Sequence, residues 1–265
     1  MKKVSLLILS FCLFSMFLPA IAETYQGCTL IVSYPEKKII KKEGDCEQRR
    51  SPCSSFKIAL ALMGYDSHIL VDQHRPLWPY KKGYFVAAPS HEQATNPTLW
   101  EKNSVVWYSQ KLTRKLGMKK FQAYVNQFNY GNKDLLGDDS KNNGLTHAWL
   151  DSSLKISPSE QVGFILNFLS ENLGLSKRAY EMTRDILPEF ITKNNWIVKG
   201  KSGSGWITTV NGSIDKNHPQ GWFVGWAEKD NKKIIFAEFV IENHSSEIPG
   251  GTVAKEKLLN ELSTL

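Results

Sequence analysis

The stretch Cys46-Glu-Gln-Arg-Arg-Ser-Pro-Cys-Ser-Ser-Phe-Lys57 places a serine and a lysine one helical turn apart at the predicted start of a helix. Pro52 ends an extended segment, and residues 56–63 form an apolar run that is typical of a buried helix. Ser54 and Lys57 occupy positions i and i+3, which share a helix face. Unpaired N–H groups at a helix start favour negative charge on a nearby hydroxyl. The stretch therefore predicts an activated serine nucleophile.

The same spacing recurs at Ser152 and Lys155 and again at Ser213 and Lys216, so a serine and a lysine three residues apart also arise by chance. Those two copies lie in polar, loop-like sequence. The first copy differs because the apolar helix behind it would remove water from Lys57 and lower the pKa of its amine. We expect only Lys57 to be available as a neutral base.

The first 22 residues have the pattern of a secretory signal peptide. Lys2 and Lys3 precede the apolar run 6–18, and Pro19-Ala-Ile-Ala22 resembles a cleavage site. A retained membrane anchor is the alternative, but the apolar run is short for a membrane span. We therefore expect a mature chain of residues 23–265, exported to the periplasm of a Gram-negative organism and not membrane-bound, as a monomer or a homodimer.

Charge and cysteine content narrow the function classes. Loss of the signal peptide lowers the formal net charge of +7 by two, and the lysines form no aromatic-interleaved basic stripe, which argues against nucleic-acid binding. Six dispersed histidines argue against a zinc site. In an oxidising compartment Cys46 and Cys53 could form a disulfide or stay reduced, and Cys28 could be a buried thiol.

The predicted elements run as strands, then helices, then strands and a last helix. Strands are predicted for residues 25–34, 37–42, 196–203, 221–227 and 233–242. Helices are predicted for residues 56–63, 100–117, 118–128, 157–169, 176–188 and 253–265. The order predicts an α/β fold of the α+β type, with an antiparallel sheet built from both chain ends and flanked by helices. We expect one catalytic unit, with a sheet subdomain from about 23–60 and 190–265 and an inserted helical subdomain at about 61–189.

Three further short motifs follow Ser54 and Lys57 along the chain. They are Ser104-Val-Val106, Tyr130-Gly-Asn132 and Lys201-Ser-Gly203, with Trp149 before the last. Their order and spacing resemble the serine β-lactamases and penicillin-binding proteins, and the Ser-x-Val and Tyr-Gly-Asn variants resemble the class D β-lactamases, or oxacillinases. The resemblance covers essentially the whole mature chain and implies the serine β-lactamase and transpeptidase fold.

The resemblance implies a role for each motif residue. Ser54 would be the acylated nucleophile, and Lys57 an N-carboxylated lysine that acts as general base, formed from carbon dioxide or bicarbonate with no other cofactor and no metal. Trp149 would donate to that carboxylate. Ser104 would shuttle a proton, and Lys201 with Ser202 would bind the substrate carboxylate. The backbone N–H of Ser204 would be a donor of the oxyanion hole. Val106 would form an apolar wall of the pocket, and Tyr130 a wall of the cleft.

One departure from the family pattern concerns substrate recognition. Many class D enzymes carry an arginine shortly after a Leu-Pro pair near the C-terminus, whereas this chain has Ile248-Pro-Gly-Gly-Thr252 there and no arginine after Arg184. Recognition of the substrate carboxylate is therefore expected to depend on Lys201, Ser202 and Thr252 or a nearby serine.

The resemblance implies an enzyme that hydrolyses penicillins, including oxacillin-type ones, and confers antibiotic resistance. Two alternatives share the motifs: a β-lactam sensor that keeps the acyl group, and a peptidoglycan transpeptidase or carboxypeptidase. In isolation Ser104 could also be a helix N-cap, Trp149 a loop anchor, and Tyr130 and Asn132 structural residues.

Overall fold

An antiparallel sheet of six strands brings the two ends of the chain together. The computed structural model describes residues 26–209, 211–244 and 246–265, so the predicted signal peptide lies outside the described residues. The strands are β1 (Cys28–Tyr34), β2 (Ile39–Gly44), β3 (Glu189–Ile191), β4 (Ile197–Thr208), β5 (Ile214–Lys229) and β6 (Lys232–Ile241). Their order across the sheet is β2-β1-β6-β5-β4-β3. The predicted α+β architecture is confirmed, and the three-residue strand β3 is an addition that was not predicted because its Glu-Phe-Ile sequence is too short to show a strand pattern.

Helices cover both faces of the sheet. They are α1 (Lys57–Asp66), α2 (Pro97–Asn103), α3 (Val106–Leu116), α4 (Met118–Gln127), α5 (Gly144–His147), α6 (Pro158–Leu169), α7 (Lys177–Ile186) and α8 (Gly250–Leu262). On β5 the side chains of Trp222 and Val224 join the larger core beneath the inserted helices, whereas Phe223 joins a smaller core under α8. This alternation follows from the two-residue period of a strand.

Helix α6 begins as its sequence predicts. The Ser157 hydroxyl accepts from Glu160 N at 3.2 Å, and the Glu160 carboxylate accepts from Ser157 N at 2.9 Å, which completes a capping box with Pro158 at the first helical position.

Among residues 26–265 other than 210 and 245, the helices are all too short or too polar to cross a membrane.

The predicted continuous helix from residue 100 to 117 is wrong. Ser104 has a left-handed backbone with φ 58°, which ends α2, and Val105 is extended before α3 begins. Ser104 is therefore the C-cap of α2 and not the N-cap of α3 that its sequence position suggested. The break presents Ser104 on a sharp corner between two helices.

The cysteine pairing also differs from the hypothesis based on sequence. Cys28 on β1 is bonded to Cys46, whereas Cys53 is a free and buried thiol. The hypothesised Cys46–Cys53 bridge is therefore wrong, and the buried thiol is Cys53 and not Cys28. Because Asp45 N donates to Gly27 O at 3.0 Å, the backbone already holds Cys46 beside the start of β1.

Removing the disulfide should destabilise the protein without altering the fold. The bond closes a loop with a sequence separation of 18 residues, for which the loss of chain entropy in the unfolded state is worth about 3 kcal/mol. We expect the double variant Cys28→Ala/Cys46→Ala to lose about that free energy of unfolding in urea titrations. Peptide mapping without reductant should recover Cys28 linked to Cys46, and recovery of Cys53 in a disulfide would contradict the assignment.

Candidate active site

The nucleophile loop brings Ser54 and Lys57 into direct contact. A single 3-10 turn over Cys53–Phe56 leads into α1, whose first residue is Lys57. Lys57 Nζ donates to Ser54 Oγ at 2.8 Å. Ser55 points the other way, and its hydroxyl donates to Pro52 O at 2.7 Å. The spacing predicted from sequence thus produces a hydroxyl and an amine within hydrogen-bond distance.

Burial changes the chemistry of Lys57. Its side chain is 0% exposed, and loss of hydration lowers the pKa of the ammonium from 10.5 to about 7. The positive charge of Lys201 lowers this pKa further, whereas Glu101 and Cys53 act in the opposite direction. A substantial fraction of Lys57 is therefore a neutral amine near neutral pH.

Lys201 enters the same site from strand β4. It is 2% exposed, and its Nζ donates to Ser202 O at 2.9 Å. Burial lowers the pKa of Lys201 to about 8, the Glu101 carboxylate raises it, and Lys255 lowers it. The strand passes so close to the nucleophile loop that a Cβ at Gly203 would fall 3.0 Å from Ser54 N. A glycine is therefore required where β4 passes the nucleophile.

Trp149 packs beneath the nucleophile with an unsatisfied donor. Its ring is 0% exposed and lies against Phe56 and Phe121, with centroid distances of 5.7 and 6.1 Å. Its Nε1 has no hydrogen-bond partner among the described residues. An unpaired buried donor costs roughly 1–3 kcal/mol, so this indole is available to any acceptor that occupies the site.

The backbone of the Trp149 loop is fixed to the nucleophile loop through Ser51. The Ser51 hydroxyl donates to Trp149 O and accepts from Asp151 N, both at 2.9 Å. The indole of Trp222 on β5 donates to Ser51 O at 2.8 Å. One serine thus joins the two loops of the site to the central sheet.

A buried cluster around Asp151 reinforces this junction and was not predicted. Cys53 Sγ donates to Asp151 Oδ1 at 3.2 Å, and Gln220 Nε2 donates to the same oxygen at 3.0 Å. Burial raises the pKa of Asp151 to about 6 and raises that of the Cys53 thiol well above its usual value. No sequence motif marks this cluster, since its members come from three distant segments.

Glu101, on α2 before the Ser104 corner, is a second buried group that was not predicted from the sequence. Glu101 lies one turn before Ser104 on α2, and Ser104 N donates to Glu101 O at 3.4 Å. The Glu101 side chain is 0% exposed, and burial raises the pKa of its carboxyl to about 7. A carboxylate three residues before the Ser-Val-Val motif was the available signal. On the other side of the corner, Val106 is buried at the start of α3.

The Tyr130-Gly-Asn132 motif holds the segment that follows Trp149 in place through hydrogen bonds of Asn132. Asn132 Nδ2 donates to Ser153 O at 2.8 Å, and Asn132 Oδ1 accepts from Lys155 N at 2.9 Å. Gly131 has φ +53°, and a Cβ there would fall 2.0 Å from Lys155 O. Tyr130 is 1% exposed with its ring 5.0 Å from that of Phe56. This burial agrees with the structural role considered for Tyr130, and its expected place in the wall of the substrate-binding cleft stays a prediction.

The glycine pair at the start of α8 occupies the place expected for an arginine. Gly251 N donates to Ser204 Oγ at 2.9 Å, and a Cβ on Gly251 would fall 2.7 Å from Gly203 O. A Cβ on Gly221 would fall 1.9 Å from Gly250 O. The helix start therefore packs backbone to backbone against β4 and β5, next to Ser204. Within the described part of the chain, no group of three or more His, Cys, Asp or Glu side chains could hold a metal ion.

Comparison with known proteins agrees with this geometry. Residues 28–263 match the family model described as the penicillin binding protein transpeptidase domain. The chain is 46% identical to β-lactamase OXA-9 of Klebsiella pneumoniae over 90% of this chain and 87% of that one. It is 34% identical to β-lactamase OXA-1 of Escherichia coli, over 92% and 86% of the two chains.

A solved structure supports the same assignment. The crystal structure of the class D β-lactamase OXA-427 superposes with a TM-score of 0.84 at 42% identity, covering 90% of this chain and 97% of that one. The contact between Ser54 and Lys57, the packing of β4 against the nucleophile and the similarity over nearly the full length lead to one assignment. The chain belongs to the class D β-lactamases, serine hydrolases of β-lactams within the penicillin-binding protein transpeptidase family.

Proposed function

We propose that this enzyme is exported to the periplasm and hydrolyses penicillins, including oxacillin-type ones, through an acyl-Ser54 intermediate with N-carboxylated Lys57 as general base. The proposed outcome for the organism is antibiotic resistance. The observation that carries the proposal is the fully buried Lys57 amine, 2.8 Å from Ser54 Oγ. The Trp149 ring packs on the adjacent Phe56, and its Nε1 has no hydrogen-bond partner among the described residues.

The residues around Lys57 fit a carboxyl group on its nitrogen. Carbon dioxide adds only to a neutral amine, and burial holds the pKa of Lys57 near 7. Trp149 Nε1 is a buried donor that lacks a partner among the described residues, and Val106 is a buried apolar residue that would line this pocket. The carboxyl group would supply an oxygen acceptor that takes the Ser54 hydroxyl proton and later activates the hydrolytic water.

The site also provides for the charge that develops during acylation. Ser54 Oγ attacks the β-lactam carbonyl carbon, and the backbone N–H groups of Ser54 and Ser204 stabilise the oxyanion. Loss of one such donor costs roughly a hundred- to a thousandfold in rate. The close approach of Gly203 to Ser54 N supports this pairing of the two chain segments.

Two groups serve the departing nitrogen and the substrate carboxylate. Ser104, on the corner between α2 and α3, passes a proton to the β-lactam nitrogen as its bond to the carbonyl breaks. Lys201 supplies positive charge, and Ser202 a hydroxyl donor, for the substrate carboxylate. Since the α8 start packs backbone against β4, we propose that Thr252 and the α8 start replace the arginine of other class D enzymes.

Hydrolysis should depend on bicarbonate. We expect the purified mature protein to turn over a chromogenic β-lactam slowly after carbon dioxide is stripped and to regain multiple turnover when bicarbonate is restored. The reason is that the general base forms only by carboxylation of Lys57. A single stoichiometric burst that stays blocked in bicarbonate would instead support the sensor or transpeptidase alternative.

The indole donor can be separated from the aromatic ring that carries it. Trp149→Phe keeps the ring packing against Phe56 and Phe121 but removes Nε1, so we expect deacylation to slow by roughly a hundredfold. Lys57→Ala should reduce both acylation and deacylation by on the order of a thousandfold. The matched control is Trp226→Phe, because Trp226 is also a buried tryptophan of the core. Pre-steady-state kinetics with trapping of the acyl-enzyme would measure both steps, and full turnover in Lys57→Ala or Trp149→Phe would exclude the mechanism.

A further inference from the structure

Glu101 is a buried carboxylate for which the proposed mechanism has no use. Its side chain is 0% exposed, and neither carboxylate oxygen has a hydrogen-bond partner among the described residues. An ionised carboxylate in that position is costly, because the side chain is buried and no described residue donates a hydrogen bond to it. The two cations that act on this carboxylate are Lys201 and Lys57, which are themselves 2% and 0% exposed, so the three buried groups form one cluster. Such a group is retained at a stability cost, which suggests that it acts on the site.

The charged groups that interact with Glu101 come from two elements. Burial is the largest influence and raises the pKa of the carboxyl, whereas Lys201 on β4 and then Lys57 on α1 lower it. Tyr65 on α1 also interacts with Glu101, and burial raises the pKa of that phenol above its ordinary value. Tyr65 therefore stays neutral over the useful pH range. Glu101 and the two lysines are the ionisable set that shares this buried region.

Other groups interact with the two lysines but not with Glu101 directly. Cys53 raises the pKa of Lys57, and the charge of Lys57 lowers that of His91, whose imidazole is already made less basic by burial. Lys255 lowers the pKa of Lys201. Because these contributions are common to a wild-type protein and a Glu101 variant, a comparison of the two isolates the carboxylate.

We propose that Glu101 takes up the proton that Lys57 releases on carboxylation, and that its ionised form opposes carboxylation. This inference rests on the proposed carboxylation of Lys57. The lone pair of the neutral amine attacks the carbon of carbon dioxide and an N–C bond forms. One C–O π pair becomes a lone pair on oxygen, the nitrogen loses a proton, and the Glu101 carboxylate gains it. One negative charge is present before the reaction and one after it, so the buried region never holds two carboxylates at once.

The sign of the pH effect follows from this proton balance. At acidic pH Glu101 is already protonated and has no effect on carboxylation. As the pH rises through the pKa of Glu101, the wild-type protein must bind a proton to keep the carboxyl group on Lys57, whereas the amide of the Glu101→Gln variant is neutral throughout. The Glu101 carboxylate also stabilises the ammonium form of Lys57, which cannot react. Both effects weaken carboxylation of the wild-type protein in alkaline solution relative to Glu101→Gln.

The test is a ¹³C NMR titration of the mature protein with ¹³C-bicarbonate, in which the carbamate resonance reports carboxylation without any substrate. For Glu101→Gln we expect a bicarbonate dissociation constant about tenfold lower than that of the wild type near pH 8.5, since each unit of pKa coupling corresponds to a factor of ten. Near pH 6 the two constants should agree within about twofold. Because the carbon dioxide and bicarbonate equilibrium is the same in both samples at a given pH, the ratio cancels it.

Matched variants keep the test independent of folding. Glu101→Met replaces the carboxylate with an apolar side chain of similar length and should show the same pH-dependent ratio. Glu181→Gln removes an exposed carboxylate that pairs with Lys177 and should match the wild type at every pH. A purely structural role for Glu101 would shift the melting temperature without producing a ratio that changes with pH.

Two results would overturn the proposal, and they are distinguishable. A wild-type protein without any carbamate resonance would remove the carboxylated lysine, and with it both the proposed function and this inference. A clear wild-type resonance, together with a variant ratio near one from about pH 6 to pH 8.5, would leave the proposed function intact and exclude Glu101 as the proton acceptor.

Discussion

The burial of one amine next to one hydroxyl is the constraint on which the site depends. Lys57 Nζ lies 2.8 Å from Ser54 Oγ with its side chain fully excluded from solvent, so the ammonium form loses its hydration. The protein must then favour the neutral amine, supply a counter-charge, or modify the nitrogen chemically. The first two are present in the lowered pKa of Lys57 and the buried Glu101 carboxylate, and the proposed carboxylation would supply the third, with the Trp149 indole, which has no partner among the described residues, as its donor.

The scaffold holds that amine by joining loops that are distant in sequence. Ser51 connects the nucleophile loop to the Trp149 loop, and Trp222 connects both to the central sheet. Close backbone packing also joins the nucleophile loop to β4, because Gly203 has no side chain and allows the strand to approach the backbone of Ser54. Placement of the reacting groups therefore comes from buried hydrogen bonds and close backbone packing.

Much of this could be predicted from the sequence, because local patterns determine local structure. The capping box at Ser157 and the helical spacing of Ser54 and Lys57 were readable in the sequence. The left-handed backbone of Ser104 and the pairing of Cys28 with Cys46 were not, since both depend on contacts between distant segments. Glu101 was missed for a related reason. A charged residue in a helix is usually solvated, and only the packing of α2 shows that this one is buried.

The most direct test of this account is the pKa of Lys57 in the protein freed of carbon dioxide. Lysine labelled with ¹³C at Cε would report each amine in an NMR titration, and the Lys57→Ala variant would assign the resonance. The account predicts a pKa of about 7 for Lys57. A value close to the ordinary 10.5 would mean that the amine is hydrated and charged at neutral pH, and both its role as a base and its proposed carboxylation would then fail.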